Sequence, residues 1–307
     1  MTEQMKAFLE AAQIDISSLQ QLKTGASGAC VWKCTRKGQR CVAKYTEKAA
    51  VSEAVWQGSL REVELLAAMK GVDFLPEALF VRRNDDAVLI IEPEYRPIAA
   101  HEWTDALLAD AMALCARVHA ADAAQFADIF DRKEAQADGW DLRVSLDGWL
   151  RLAEKFPCSM DRALLERIYA DFTAIPARVQ ALDLPQGLAH GDCHPENFLL
   201  EGGKMRLCDW QGAHIGCGVG DVSFFFSRGA DMGVKIDENA LIEAYLAALA
   251  REGISLSRQA FDKCCAASTL TVSFQFWAMY LQDAPEARVA EIYRPMAAAY
   301  EALFEQG

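Results

Sequence analysis

The stretch from His190 to Asp209 contains the residues best suited to chemistry. A loop supplies Asp192 and Asn197, an apolar run leads into a Glu-Gly-Gly turn, and the returning segment ends on Asp209. A hairpin in this stretch would bring two carboxylates and one amide oxygen together near its mouth. Phosphoryl transfer needs a carboxylate that accepts a hydroxyl hydrogen and hard oxygen ligands that hold Mg²⁺ on phosphates. The stretch therefore predicts a phosphoryl-transfer site.

The spacing distinguishes this site from ordinary turns. Taken singly, Asp192 or Asp209 would be interpreted as a turn former. His-x-Asp, with Asn197 five positions after the Asp and a further Asp at the end of the next strand, is the catalytic signature of kinases. The spacing therefore predicts a catalytic loop of the kinase type, with Asp209 as the metal-binding residue behind it.

Zinc binding is the alternative for this stretch, because His190, Cys193 and His194 are close neighbours. The zincin helix motif needs a Glu directly after its first His, and Gly191 occupies that position. Pro195 also opposes a continuous helix there. The pattern therefore favours magnesium over zinc.

A glycine turn near the N-terminus is the first element that would position a nucleotide. Gly25, Ser27 and Gly28 lie between two strand-like segments. Small residues in such a turn let backbone N–H groups approach phosphates closely, although a plain β-hairpin would look the same. Lys44 lies near the end of the next strand, where kinases place the lysine that holds the α- and β-phosphates.

A helix predicted over 53–70 would carry the partner of Lys44. Val55, Leu60 and Val63 recur on one face with helical spacing. Glu62 is the first candidate to pair with Lys44, and Glu64 is the second.

A short connector rich in proline predicts the boundary between two lobes. A strand ends at Glu92, and Glu94 and Tyr95 follow between Pro93 and Pro97. We expect backbone groups from Glu92 to Tyr95 to bind adenine. The composition then shifts from strands to helices, so residues 1–95 are predicted as the N-lobe and 96–307 as a helical C-lobe.

Composition limits the class of protein. Half of the 307 residues are hydrophobic, a quarter are charged and the net charge is -13. Nucleic acid and anionic membranes are therefore poor partners, whereas a cationic small substrate suits the sign of the charge. Ten cysteines without a Cys-x-x-Cys pair, and no signal pattern after Met1, predict reduced thiols in a cytoplasmic protein. We expect a monomer or a homodimer.

Three features of the C-terminal half have competing interpretations. The uncharged run 264–281 has the length of a membrane span, but its serines and threonines favour a buried helix. Its aromatic residues fit core packing better than a cation cage. Asp221 is predicted to cap a helix rather than to bind metal, with bracing of the catalytic loop as an additional role, and His119 is predicted to pack or cap rather than to bind a ligand.

Together, these motifs resemble the aminoglycoside phosphotransferase and choline kinase-like family. They fall in the family's order over 25–226, and the Asp-Trp-Gln form and the Gly-Val-Gly-Asp run look closest to the ecdysteroid/choline kinase-like branch. The motifs are Gly25-x-Ser27-Gly28, Val42-Ala43-Lys44, Arg61-Glu62, His190-Gly191-Asp192-x-His194-Pro195-x-Asn197 and Asp209-Trp210-Gln211.

The resemblance implies a protein kinase-like α+β fold with a small β-rich N-lobe and a larger, mainly helical C-lobe. It implies ATP and Mg²⁺ as cofactors and transfer of the γ-phosphoryl to a hydroxyl of a small molecule, without a covalent intermediate. In that scheme Asp192 is the base, Asn197 and Asp209 are the Mg²⁺ ligands, and His194 stands beside the transferring phosphoryl. Lys44, paired with Glu62, binds the α- and β-phosphates.

Two departures weigh against a protein kinase. Gly191 stands where protein kinases carry an Arg that binds an activation-loop phosphate, and no Ala-Pro-Glu follows Asp209. Protein kinase and a nucleotide-binding module without turnover remain the alternatives.

Overall fold

The computed structural model describes residues 1–22, 29–130 and 141–305. They form two compact units, Met1–Asp131 with Gln186–Gly253, and Arg132–Pro185 with Ile254–Gly307. The lobe boundary predicted at Tyr95 lies inside the first unit and stays a prediction. The glycine turn with Gly25, Ser27 and Gly28 lies outside the described residues.

A five-stranded antiparallel sheet begins the first unit, with strand order β1-β2-β3-β5-β4. Its strands and the two helices beside it are α1 Glu3–Ala11, β1 Ile14–Gln21, β2 Cys30–Arg36, β3 Gln39–Glu47, α2 Glu53–Ala68, β4 Phe80–Arg83 and β5 Ala87–Pro93. Successive side chains of β3 point to opposite faces. Tyr45 packs edge-on against Phe8 of α1, with ring centroids 6.0 Å apart, whereas Lys44 bonds to Glu62 of α2. The sheet therefore has α1 on one face and the Lys44 side chain on the other.

The rest of the first unit holds the predicted hairpin. Its elements are β6 Arg96–Pro97, α3 Asp105–His119, α4 Ala127–Phe130, β7 Gly187–Ala189, β8 Phe198–Glu201, β9 Lys204–Leu207, β10 His214–Gly216, α8 Val219–Asp231 and α9 Glu238–Arg251. β8 pairs with β9 across Gly202 and Gly203, both with positive φ, which glycine adopts without the steric cost of a side chain. The predicted hairpin is confirmed.

The second unit is helical in its described residues. It contains α5 Leu142–Lys155, α6 Arg162–Asp171, α7 Ile175–Gln180, α10 Arg258–Val272, α11 Ala278–Tyr280 and α12 Glu286–Tyr300. The helical chain is interrupted before Pro176, because α6 ends at Asp171 and Pro176 lies in the first turn of α7. The run 264–281 continues α10 through a π-helical turn, Ser273–Trp277, into α11. None of the helices in the described ranges is long and apolar enough to cross a membrane.

Trp149 anchors the core of the second unit. Its side chain is fully buried, and its indole N–H donates to the carbonyl of Phe274 at 3.0 Å. Phe274 lies in the π-helical turn, so the Trp149 indole satisfies a backbone carbonyl at an irregular point of the helix.

We expect Trp149→Phe to destabilise the protein by about 1–3 kcal/mol, because it leaves that buried carbonyl without its donor and removes packed atoms. Urea unfolding measures the change. Val144→Ala, on the same helix but with Val144 56% exposed, is the control and should change little. Equal effects of the two substitutions would contradict the assigned role.

Candidate active site

Lys44 connects two carboxylates from different parts of the chain. Its Nζ lies 2.8 Å from Oε2 of Glu62 and 2.6 Å from Oδ1 of Asp209. Burial alone would lower the pKa of Lys44, but the two carboxylates outweigh burial and raise it above its ordinary value. The ammonium is therefore fully charged at neutral pH, and the Lys44–Glu62 pairing expected from the sequence is present.

Helix α2 carries Glu62 into this position. Ser52 caps the helix, and the second oxygen of Glu62 accepts the backbone N–H of Trp210 at 3.2 Å. Gly58 makes the close approach possible, because a Cβ at that position would lie 2.9 Å from the carbonyl oxygen of Gln211. Helix α2 therefore docks directly on the turn that follows Asp209.

Asp209 adopts a left-handed backbone conformation, with φ 66° and ψ 65°. This conformation is uncommon for a residue with a side chain, although Asp tolerates it better than most. The preceding residue, Cys208, holds the chain in place by donating its N–H to the carbonyl of Asn197 at 2.9 Å. The turn aims the Asp209 carboxylate at Lys44 as the chain leaves β9.

Asp221 holds the Asp192 loop from behind. Its two oxygens accept the backbone N–H groups of His190 at 2.6 Å and of Gly191 at 2.8 Å. The prediction that Asp221 caps its own helix was wrong: α8 begins at Val219, and Gly218 stands at the cap position. Asp221 instead braces the loop, which was the additional role predicted for it.

A buried chain of polar groups extends the brace. His119 of α3 contacts Asp221 through Nε2 at 3.0 Å and the Tyr245 hydroxyl of α9 through Nδ1 at 2.8 Å. Burial would raise the pKa of Asp221, but the hydrogen bonds from His119 and from the backbone of His190 bring it to about 2. An ionised carboxylate only accepts hydrogen bonds, so Nε2 of His119 carries the hydrogen. No local pattern in the sequence indicated this network.

His190 ties the loop to the end of β9. Burial lowers its pKa despite the nearby Asp221, so the imidazole is neutral. Its Nδ1 accepts the N–H of Asp192 at 3.2 Å, and its Nε2 donates to the carbonyl of Cys208 at 2.9 Å. Cys193 packs against Cys115 instead, with sulfurs 3.7 Å apart. Both nitrogens of His190 are therefore engaged, and its geometry gives no support to zinc binding.

Asp192 projects its carboxylate from this braced loop. The side chain is 45% exposed, and Nε2 of His194 lies 3.7 Å from Oδ2. The His194 imidazole holds the pKa of Asp192 below its usual value, against the effect of partial burial. Asp192 is therefore an ionised, accessible carboxylate at neutral pH.

Asn197 and Asp209 have oxygens suited to a hard cation. The amide nitrogen of Asn197 donates to the carbonyl of Asp192 at 2.8 Å, which leaves its oxygen with only a distant thiol contact from Cys208, at 4.0 Å. Asp209 uses Oδ1 for Lys44. The described residues contain no group of three His, Cys, Asp or Glu side chains arranged for a metal. Two hard oxygens fit Mg²⁺, which binds one or two protein groups together with substrate phosphates.

Of the three residues predicted to contact adenine, only Glu92 keeps its side chain unengaged. Glu94 pairs with Lys33 at 2.8 Å and Arg40 at 2.6 Å, and the hydroxyl of Tyr95 accepts the N–H of Glu77 at 2.9 Å. The Glu92 side chain makes no hydrogen bond or ion pair within the described ranges, although its backbone pairs with β3. Burial, reinforced by the carboxylate of Glu62, raises the pKa of Glu92 to about 8. Backbone contacts of this segment to adenine stay a prediction.

The buried Asp221 predicts a specific acid sensitivity. Its pKa in the folded protein is about 2 against an ordinary 3.8, so its stabilising contribution is complete above pH 4 and is lost as the pH falls towards 2. This linkage corresponds to about 2 kcal/mol. Asp221→Asn should therefore lower the free energy of unfolding at pH 7. The free energy of unfolding of this variant should also fall less steeply between pH 4 and pH 2 than that of the parent protein, and denaturant unfolding at each pH measures both effects. An equally steep acid loss in the variant would contradict this.

Glu92 predicts the opposite dependence. Its pKa in the folded protein, about 8, lies above the ordinary 4.5, so the folded state holds a proton that the unfolded chain has lost, and stability falls as the pH rises through this range. The melting temperature of Glu92→Gln should exceed that of the parent protein, and the difference should grow from pH 5 to pH 9. Glu94→Gln is the matched control, because Lys33 lowers the pKa of Glu94 and its replacement should lower the melting temperature at pH 7. A difference for Glu92→Gln that does not vary with pH would contradict the assignment.

Several solved structures share the fold. The GDP and kanamycin complex of APH(2")-IIia aligns with a TM-score of 0.59 and 13% identity over 100% of both chains. A choline/ethanolamine kinase family protein from Mesorhizobium loti aligns with a TM-score of 0.57 and 13% identity, over 98% of this chain and 95% of that one. An amicoumacin kinase in complex with AMP-PNP, Ca²⁺ and Ami aligns with a TM-score of 0.55 and 15% identity, over 100% of this chain and 94% of that one. The α+β, kinase-like fold predicted from the sequence is confirmed.

Comparison with the curated proteins finds no match. The model of the phosphotransferase enzyme family, APH, matches residues 47–258, which include Glu62, Asp192 and Asp209. Because this match extends over most of the sequence, the chain belongs to the phosphotransferase enzyme family.

Proposed function

We propose that the protein transfers the γ-phosphoryl of ATP to a hydroxyl of a small molecule. The observation that carries this proposal is the pair of contacts from Lys44 to Glu62, at 2.8 Å, and to Asp209, at 2.6 Å. Kinases need this lysine and its carboxylate partner in place to hold the nucleotide phosphates. The family membership adds independent support.

In this proposal the nucleotide lies against the Lys44 face of the sheet. The Lys44 ammonium binds the α- and β-phosphates, and Glu62 keeps the lysine side chain extended towards them. The segment from Glu92 through Glu94 to Tyr95 contacts adenine. Gly25, Ser27 and Gly28 lie outside the described residues, and their assignment to the phosphates rests on the sequence alone. The lysine is already ordered by two carboxylates, so little side-chain freedom is lost when phosphates bind.

Asp192 acts as the base in the proposed reaction. Its lowered pKa keeps the carboxylate ionised, so it accepts the hydrogen of the acceptor hydroxyl as the oxygen attacks the γ-phosphorus. The bond from phosphorus to the bridging oxygen of ADP breaks, and ADP leaves. His194, 3.7 Å from Asp192, stands beside the transferring phosphoryl. Because the transition state is loose, positioning contributes more than the strength of the base.

Asn197 and Asp209 would hold Mg²⁺ through their side-chain oxygens. A bound Mg²⁺ would neutralise charge on the β- and γ-phosphates. Asp209 would then bind Lys44 through one oxygen and leave the other for the metal, a double role that fits the strained backbone at this residue.

The proposed acceptor is a small alcohol of the aminoglycoside, choline or ethanolamine type. The net charge of -13 attracts such cations. The fold is shared with proteins described as a kanamycin complex and as a choline/ethanolamine kinase family member. No feature of the described residues favours a protein substrate over a small molecule.

Replacing the proposed base separates chemistry from binding. Asp192→Asn should lower kcat by about 100-fold or more, the contribution typical of a positioned base, and leave ATP affinity nearly unchanged. Asp110→Asn is the matched control, since Asp110 is an exposed carboxylate on α3, and it should keep parental turnover. Turnover by Asp192→Asn at the parental rate would remove Asp192 from this role.

Release of ADP identifies the acceptor class. The purified protein with ATP and Mg²⁺ is given a panel of cationic alcohols and neutral sugars, and a coupled assay records ADP. ADP release that depends on one hydroxylated compound, together with the phosphorylated product by mass spectrometry, supports the proposal. A nucleotide-binding module would melt at a higher temperature with ATP and release no ADP.

A further inference from the structure

A cavity lies on the face of the sheet opposite to the Lys44 side chain. It has a volume of about 380 Å³ and is lined by residues of α1 and by the ends of β1, β2 and β3. Tyr45 and Lys44 are adjacent in β3, so their side chains point to opposite faces. The cavity is therefore separate from the proposed phosphoryl-transfer site.

The hydroxyl of Tyr45 is the first sign of a ligand. Tyr45 lines the cavity and is 3% exposed, yet its hydroxyl has no hydrogen-bond partner among the described residues. Thr2 also lines the cavity. Burial raises the pKa of Tyr45 and the nearby Thr2 hydroxyl partly offsets that rise, but no hydrogen bond joins the two hydroxyls, and the Thr2 oxygen accepts the N–H of Met5 as the cap of α1. Buried hydroxyls are nearly always satisfied, so an unpartnered one that lines a cavity indicates a missing polar group.

Glu47 supplies a charge to the same cavity. It lies two residues after Tyr45 on the same face of β3, so the two α-carbons are roughly 7 Å apart. Within the described parts of the chain, the carboxylate of Glu47 makes no ion pair. A ligand that donates hydrogen bonds and carries positive charge would satisfy both Tyr45 and Glu47.

The remaining wall is mainly apolar, with Gln21 as a further polar side chain. Met5, Leu19 and the indole of Trp32 line it, and Trp32 is only 9% exposed. A single water occupies about 30 Å³ of liquid, so water could satisfy the Tyr45 hydroxyl but would leave most of the cavity unfilled. The cavity suits a molecule with an ammonium at one end and a compact apolar body at the other.

We propose that this cavity is a binding site for a small primary or secondary ammonium compound. The ammonium donates to the carboxylate of Glu47 and to the hydroxyl oxygen of Tyr45, and the apolar body packs on Met5, Leu19 and Trp32. The site does not depend on phosphoryl transfer, because none of these residues belongs to the proposed catalytic set.

Benzylammonium is a suitable probe, since it has no hydroxyl and cannot accept a phosphoryl group. We expect saturable binding in calorimetry and a shift of the Met5 methyl resonance in protein labelled with ¹³C-methyl methionine, assigned with Met5→Leu. Met112 and Met296, which are buried elsewhere, should not shift. Benzyl alcohol, a neutral analogue, should bind about tenfold more weakly, the loss expected for one charge-assisted contact.

Three substitutions test the assignment. Glu47→Gln and Tyr45→Phe should each weaken benzylammonium by about tenfold without lowering the melting temperature, because Phe keeps the ring and Gln keeps the shape. Asp85→Asn removes an exposed carboxylate elsewhere on the sheet and should leave the affinity unchanged. An unshifted Met5 methyl, or equal affinities for Glu47→Gln and the parent protein, would overturn the proposal.

Discussion

The charge balance around Lys44 is the constraint on which the rest of the first unit depends. A buried carboxylate such as Glu62 is costly unless an opposite charge and further hydrogen bonds satisfy it. Lys44 and the N–H of Trp210 do this, and Lys44 in turn needs Asp209. Strand β3, helix α2 and the turn after β9 are therefore held in register by one ammonium, and removal of Lys44 would leave two carboxylates without their counter-charge.

Asp221 plays a comparable part for the loop that carries Asp192. A single carboxylate organises two successive backbone N–H groups, and His119 and Tyr245 fix the carboxylate from α3 and α9. Because all of these groups are hydrogen-bonded, the burial of so much polarity is tolerated. The same hydrogen bonds restrict the conformation of the loop, because each buried donor has one acceptor among these groups.

The sequence was most informative where the chemistry is local. The Asp192-to-Asn197 spacing and the hairpin before Asp209 lie within 20 residues, so turn chemistry and strand patterning were enough to predict them. Helical periodicity predicted the helix that carries Glu62, but it left Glu64 as an alternative, and the pairing with Lys44 was implied by the family resemblance. The network around Asp221 could not be predicted in the same way, because His119 is 102 residues away and Tyr245 is 126 residues from His119. The capping role was assigned wrongly because the helix starts at Val219, after a positive-φ Gly218, rather than at Asp221. The unpartnered carboxyl of Glu92 likewise depends on the surroundings of the folded strand, which no local motif describes.

Gly191 has a consequence for how such a protein is controlled. A Cβ at this position would lie 2.0 Å from the carbonyl oxygen of Gly212, and its φ is +79°, so no larger residue fits. The chain thus has no room for an arginine sensor of covalent modification beside Asp192, while Lys44 and its two partners are in contact without one. A phosphate added to a neighbouring segment would therefore find no guanidinium at position 191 to bind it, and the contacts of Lys44 do not depend on one.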